Sequence, residues 1–275
     1  MLLILVLVLG AVWGSFIHAT SLRVERFLLN SHILISNSKT MRYQNYLRIS
    51  LKNFFCNSYS RCDHCKVKIP WFFNIPLVSF FVLGGKCSHC KNKISPSIFI
   101  SEFIFSLIFL LIYIKFPDSL QHQFFALIFF SLIFLITHFD LKYLLIPDQY
   151  TYLVLWFGLF ASLFGLFGLN IENSIYTILI IYLILKGISL FYVIALKKDV
   201  LGEGDPMLAA SLSCWIGFDL FPLFLFLASL LGIIVIIYSK FKSTNQDVWQ
   251  LRLAFGPPLC ISAGLIFLSK LFTNI

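Results

Sequence analysis

Long apolar runs separated by short polar turns make up most of the chain, and one long polar segment interrupts them early. The apolar runs fall at about residues 1 to 20, 98 to 115, 122 to 139, 150 to 169, 174 to 196, 206 to 218, 219 to 239 and 254 to 272. A helix needs about 20 apolar residues to cross a hydrocarbon core of roughly 30 Å, and several runs have that length with few charges. Lipid offers the backbone no hydrogen-bond partners, so runs of this kind predict helices and not open strands. The pattern therefore predicts an all-α polytopic membrane protein with about eight transmembrane helices. The stretch from Pro206 to Tyr238 is ambiguous, being too long for one span and short for two; Asp219 and Pro222 supply the break.

Composition strengthens this picture. A mean hydropathy of +0.91, with 59% hydrophobic against 12% charged residues, excludes a single water-soluble domain. The first run is long enough to be mistaken for a secretory signal. It has no positive leading region and no small-residue cleavage site, and Gly14-Ser15-Phe16 leads straight into a basic segment, so it reads as a span. Residues 21 to 97 carry 12 of the 21 Lys and Arg residues, set against Glu25 and Asp63. Positive charge retained on the inner side makes this segment cytoplasmic and places the N-terminus outside. The segments around Lys142, around Lys197-Lys198 and from Lys240 to Arg252 then fall inside, while the turns at 116 to 121 and 170 to 173 fall outside. The net charge of +9 is read as this asymmetry and not as a nucleic-acid surface, so no nucleic-acid partner is expected. Three parts follow: a first transmembrane helix at 1–20, a cytoplasmic domain at 21–97 and a transmembrane domain at 98–275. No internal repeat or low-complexity linker is seen, and the abundant Phe and Ile read as lipid-facing filler.

Within the polar segment, four of the seven cysteines form two C-x-x-C pairs, Cys62 with Cys65 and Cys87 with Cys90. Two intervening residues let both sulfurs of a pair reach one ion, and two such pairs complete a tetrahedral four-sulfur site. A reducing cytoplasm and neighbouring lysines favour thiolates, so structural zinc is preferred over disulfides. Four sulfurs would leave no open coordination position, which makes the ion architectural. His64 and His89, inside the two pairs, are expected to be exposed knuckle residues. Cys214 and Cys260, within apolar runs, are expected to be small apolar filler, and Cys56 stands alone.

Acidic residues number only 12, so those abutting apolar runs are informative. Asp140 closes one run, with Asp148 eight residues on; Asp205 opens another, after Gly202 and Gly204. Two neighbouring carboxylates cannot both ionise easily, so such a pair shares a proton and can activate water against a peptide carbonyl. The competing reading is that these acids favour helix N-termini or pair with Lys142 and Lys198.

These motifs, in this order, resemble the type IV prepilin peptidases, bacterial leader peptidases of the GxGD aspartic class (family A24), along nearly the whole chain. The similarity runs from Gly14-Ser15-Phe16 through the double C-x-x-C, with the intervening WFFNIPLVSFFVLGGKC from Trp71 to Cys87, to Ile94-Ser95 and Glu102. It continues at D-(x)7-D, Asp140 to Asp148 with Ile146-Pro147, at Gly202-x-Gly204-Asp205, and at the FGPPL run from Phe255. The resemblance implies that Asp140 and Asp205, 65 residues apart, are the catalytic pair of a peptidase domain at 98–275, with Asp148, Gly202, Gly204 and Glu102 supporting. It implies cleavage of the basic leader of prepilins and pseudopilins, for pilus or type II secretion assemblies, at the cytoplasmic face of the inner membrane. It also implies methylation of the new N-terminal residue with S-adenosylmethionine. Met207 stands where the family commonly has Lys, and Ser97-Ile98 where it has Arg-Tyr. Two rival readings are a non-enzymatic membrane scaffold of a pilus or secretion assembly, and a transporter using the same acids as proton relays, which would want them mid-span.

Overall fold

Every predicted apolar run is helical over most of its length. In the computed structural model the described residues are 2–35, 62, 64–65, 67–70, 73, 75–196, 202–242 and 254–273. Cys56, Asp63, Trp71, the basic positions Lys39, Arg42, Arg48, Lys52, Arg61 and Lys66, and the Lys197-Lys198 and 243–252 segments lie outside them. The helices are α1 (Leu2–Ile35), α2 (Val78–Val82), α3 (Pro96–Lys115), α4 (Leu120–Tyr143), α5 (Asp148–Leu163), α6 (Ile171–Leu196), α7 (Asp205–Ile216), α8 (Phe221–Lys242) and α9 (Gly256–Thr273). Among the described residues there is no strand.

Among the described residues, four helices are long and apolar enough to cross a membrane: α1 over Leu2–Glu25, α3, α4, and α6 over Ile171–Ala195. The apolar parts of α8 and α9, Phe221–Ile237 and Gly256–Phe272, are somewhat shorter. The run expected at 206 to 218 forms the short helix α7, whose 12 residues rise only about 18 Å at 1.5 Å per residue. Hydropathy suggested a span because α7 is apolar, but its surroundings are protein and not lipid: all of its residues except Met207 are buried. The first helix also departs from expectation, continuing past Thr20 to Ile35 without a break.

The chain divides into two compact units, Met1–Ile114 and Lys115–Ile275. The first unit includes α3, which packs against α1. In the first unit, Gly10 and Gly14 lie four residues apart on one face of α1, the spacing that lets membrane helices approach closely. A Cβ at Gly10 would lie 2.7 Å from Ser106 Cα, and one at Gly14 would lie 2.7 Å from Ser101 O. The Ser106 hydroxyl crosses the same contact to donate to Leu7 O at 2.7 Å.

In the second unit α7 is the central strut, packed against α5, α6 and α9, while α4 packs on α5 and α9, and α8 on α9. Ala209, Ala210, Ser211 and Ser213 are buried along α7, and such small residues let neighbouring helices approach. Its far end is anchored by Trp215, which is fully buried. Trp215 Nε1 donates to Val154 O at 2.9 Å, and its ring lies 4.8 Å from Phe129 and 5.8 Å from Phe267, centroid to centroid. Removing so large a buried ring leaves a cavity and an unsatisfied carbonyl, so Trp215→Ala is expected to destabilise the protein by about 3–5 kcal/mol. A thermal unfolding midpoint in detergent matching the parent protein would contradict this.

Candidate active site and metal centre

Asp140 and Asp205 are brought to one end of the second unit by two sharp chain reversals. Helix α4 ends at Tyr143 with Leu144 in the left-handed conformation (φ 53°), and its N–H donates to Asp140 O at 2.9 Å. Pro147 then adopts an extended conformation and starts α5 at Asp148. An acid in a first helical turn is favourable, and Asp148 is exposed. Phe139 and Tyr150 stack with ring centroids 5.8 Å apart, tying the end of α4 to the start of α5.

The Asp140 carboxylate is buried in the last turn of α4, and its Oδ2 accepts the Gly256 N–H at 2.8 Å. Gly256 is the first residue of α9, so this amide is one of those a helix leaves without an internal acceptor. Asp205 begins α7 by a reciprocal turn: its N–H donates to Gly202 O at 3.2 Å, while its Oδ2 accepts the Gly202 N–H at 3.1 Å. Pro206 follows in the first helical turn, where its missing N–H costs nothing. Gly204 lets this turn lie against the α4–α5 connection, since a Cβ there would be 3.3 Å from Ile146 Cβ.

Asp205 heads the short helix α7, outside the membrane-spanning segments. Burial pushes its carboxyl up to about 6, the Gly202 amide opposes the shift, and the negative charge of Asp140 adds to it. The two acids therefore sense one another although they enter from different helices. Two buried carboxylates that interact from different helix ends are an arrangement suited to general acid–base work on water. Of the residues singled out from the sequence, the structure brings Asp140, Asp205, Gly202 and Gly204 together, and Asp148 starts α5 close by. Gly256 was not singled out; its only signal was the Phe-Gly-Pro run, which names no partner.

Glu102 belongs to the first unit. It is buried in α3 and accepts the Leu77 N–H at 2.7 Å and the Ser15 hydroxyl. Leu77 sits at φ 62°, an uncommon conformation for a residue with a side chain. Glu102 thus ties α1, α3 and the turn before α2 together.

The four cysteines of the two pairs converge, with one sulfur from each lying within 4.8 Å of the others. Cys62 Sγ and Cys90 Sγ are 3.7 Å apart, close to the roughly 3.8 Å between ligands of a tetrahedral ion with 2.3 Å metal–sulfur bonds. The second knuckle is fixed by Lys91 N–H donating to Cys87 O at 3.0 Å and Cys87 N–H donating to Asn92 O at 2.9 Å. Amides of Cys90 and His89 point at the Cys87 sulfur and hold its thiol down at about 6. At Cys65 the Val67 amide lowers the thiol, but desolvation and the hydrogen bonds to Cys62, Cys90 and Cys87 outweigh it and hold it up at about 11. These donors fit a thiophilic metal ion, whose binding would displace the remaining protons. His64 and His89 are exposed and stand outside the cluster, while Cys214 and Cys260 are buried as apolar filler.

Residues 8–116 match the model of the bacterial peptidase A24 N-terminal domain, and residues 125–237 match that of the type IV leader peptidase family. The chain is 32% identical to a prepilin leader peptidase/N-methyltransferase of Vibrio cholerae serotype O1 over 88% of this chain and 95% of that protein. It is also 32% identical to one of Dichelobacter nodosus, over 76% and 70%. A type 4 prepilin-like proteins leader peptide-processing enzyme of Escherichia coli O78:H11 is 29% identical over 96% and 93%. No solved structure matches the chain. The two matched segments meet near the boundary between the structural units, and relatives above 30% identity extend across both: the chain belongs to the type IV leader peptidase family.

Proposed function

We propose that this membrane protein is an aspartic endopeptidase that removes the basic leader of prepilins and pseudopilins, with Asp140 and Asp205 as its catalytic pair. The observation that carries the reading is the pair itself: two buried, interacting carboxylates at the ends of different helices, each held by one backbone amide. In the proposed step, the ionised carboxylate takes a proton from water as its oxygen bonds to the peptide carbon. The protonated partner donates to the carbonyl oxygen. Collapse of the tetrahedral intermediate breaks the C–N bond: the first carboxyl returns its proton to the leaving amine, and a hydroxyl of the intermediate gives its proton back to the partner carboxylate. Asp148 and Glu102 are supporting residues in this reading, and Gly202 and Gly204 shape the Asp205 turn. The excess of Lys and Arg in residues 21–97 supports an active site on the cytoplasmic side of the inner membrane.

The four-cysteine cluster is proposed to hold structural zinc. Cys62→Ser or Cys87→Ser is expected to release about one zinc ion per chain, measured by elemental analysis of the purified protein. Zinc content equal to the parent would remove the metal from the proposal. Methylation of the new N-terminal residue belongs to the same proposal and is supported by the names of the relatives. Among the described residues there is no glycine-rich strand–turn–helix loop of the kind that cradles a nucleotide.

The test is to incubate the purified full chain in lipid with a prepilin and labelled S-adenosylmethionine. Appearance of the shortened pilin supports the peptidase, and label on that product supports the methyltransferase. An intact prepilin after prolonged incubation would favour the scaffold reading.

A further inference from the structure

The helix between the two cysteine pairs carries its apolar side chains outward. Helix α2 has no buried residue, and Phe81 and Val82 are 71% and 68% exposed. A five-residue helix with this exposure in a polar cytoplasmic segment buries nothing of its own, so something else must cover it.

Its position points to what does. The Phe81 ring meets Phe99 edge-on at 5.2 Å, Phe80 stacks on Phe99 at 5.0 Å, and Phe99 stacks on Phe103 at 6.5 Å. Phe99 lies in the first turn of the membrane-spanning helix α3, and Phe103 is exposed on it. The aromatic ladder therefore joins α2 to the lipid-facing side of a span at the end where that span begins, the depth of a membrane interface.

The charge around α2 fits the same surface. Val82, Leu83 and Phe73 share a cavity of about 350 Å³ with Lys86 and Lys91. Lys86 and Lys93 face each other across an antiparallel bridge, and like charges placed opposite one another are unfavourable. All three lysines are exposed. An apolar wall beside a cluster of ammonium groups matches one chemical class, a phospholipid with an anionic headgroup.

We infer that the second cysteine knuckle docks onto the membrane surface, with Phe81 and Val82 entering the acyl boundary and Lys86 and Lys91 holding an anionic phospholipid headgroup. This surface would fix the cysteine domain against the bilayer, and it is independent of the peptidase assignment.

The test uses the full chain in nanodiscs containing either phosphatidylglycerol or phosphatidylcholine with a photoactivatable acyl chain, followed by peptide mapping. The peptide spanning residues 75–93 is expected to be labelled more strongly by phosphatidylglycerol. Lys86→Gln with Lys91→Gln should cut that preference on the order of tenfold, and Phe81→Ala should lower labelling by both lipids. Labelling of the peptide containing Phe103 should stay constant, reporting an intact span. The inference is overturned if peptide 75–93 is not labelled, if both lipids label it equally, or if the preference survives the double substitution. It is also overturned if the double substitution loses its lipid preference together with its bound metal, because the lysines would then serve the cysteine cluster.

Discussion

Asp140→Asn and Asp205→Asn are each expected to slow leader cleavage by at least about 10³-fold, with the protein still inserted and folded. Asparagine keeps a side-chain oxygen that can accept the Gly256 or Gly202 amide, so the loss isolates proton transfer from packing. Positioned acid–base groups contribute about 10²–10⁴ in rate, and here one proton must be held and passed by both members. Because the pair acts as a unit, the double variant should be little slower than either single one. Asp148→Asn is the matching control, since Asp148 is exposed in the first turn of α5; a change within about threefold is expected from the loss of a helix-terminal charge. Single-turnover cleavage of a purified prepilin, with membrane fractionation of each variant, decides the matter. Full activity in either catalytic variant would leave the two acids as helix-end residues only.

How much of this was legible in the sequence depends on which physical signal was needed. Apolar run length located every long helix, because lipid and protein interiors both demand apolar side chains. The same fact concealed what α7 is: Ala209, Ala210 and Leu212 look alike whether they face acyl chains or α5, α6 and α9. Its length gave the better clue, since Gly217 ends the helix at φ 96° well short of a crossing. The continuation of α1 past Thr20 was equally hidden, because hydropathy registers where polar residues begin and not where backbone hydrogen bonding stops. The cysteines were readable from spacing, as two residues between thiols suffice to aim a pair at one ion. The aspartates stood out by rarity and motif order as candidates, but no local pattern says which amide meets which carboxylate. The bond from Gly256 to Asp140 spans 116 positions in sequence and exists only because α9 packs back onto α4.

That bond supplies the second large prediction. A Cβ at Gly256 would lie 2.6 Å from Asp140 Oδ2 and 3.2 Å from its Cγ, too close for either atom to stay. The backbone has little freedom to yield, because Gly256 is followed by Pro257 and Pro258, both buried at the start of α9. The carboxylate must turn away instead, losing the 2.8 Å amide bond that aims it. A displacement of about 1 Å at a reacting group can cost on the order of 10²-fold in rate, so Gly256→Ala should lower kcat by about that factor while KM for the prepilin changes little. Gly202→Ala is expected to act in the same direction more weakly, because its Cβ would meet only the tip of Asp205, 2.9 Å from Oδ2. Gly187→Ala has open space around it in the middle of α6 and should be neutral or slightly stabilising, as alanine is the better helix former. If all three variants cleaved at the parent rate, the amide at the head of α9 would have no part in aiming Asp140, and the enzyme's working geometry would differ from this arrangement at its centre.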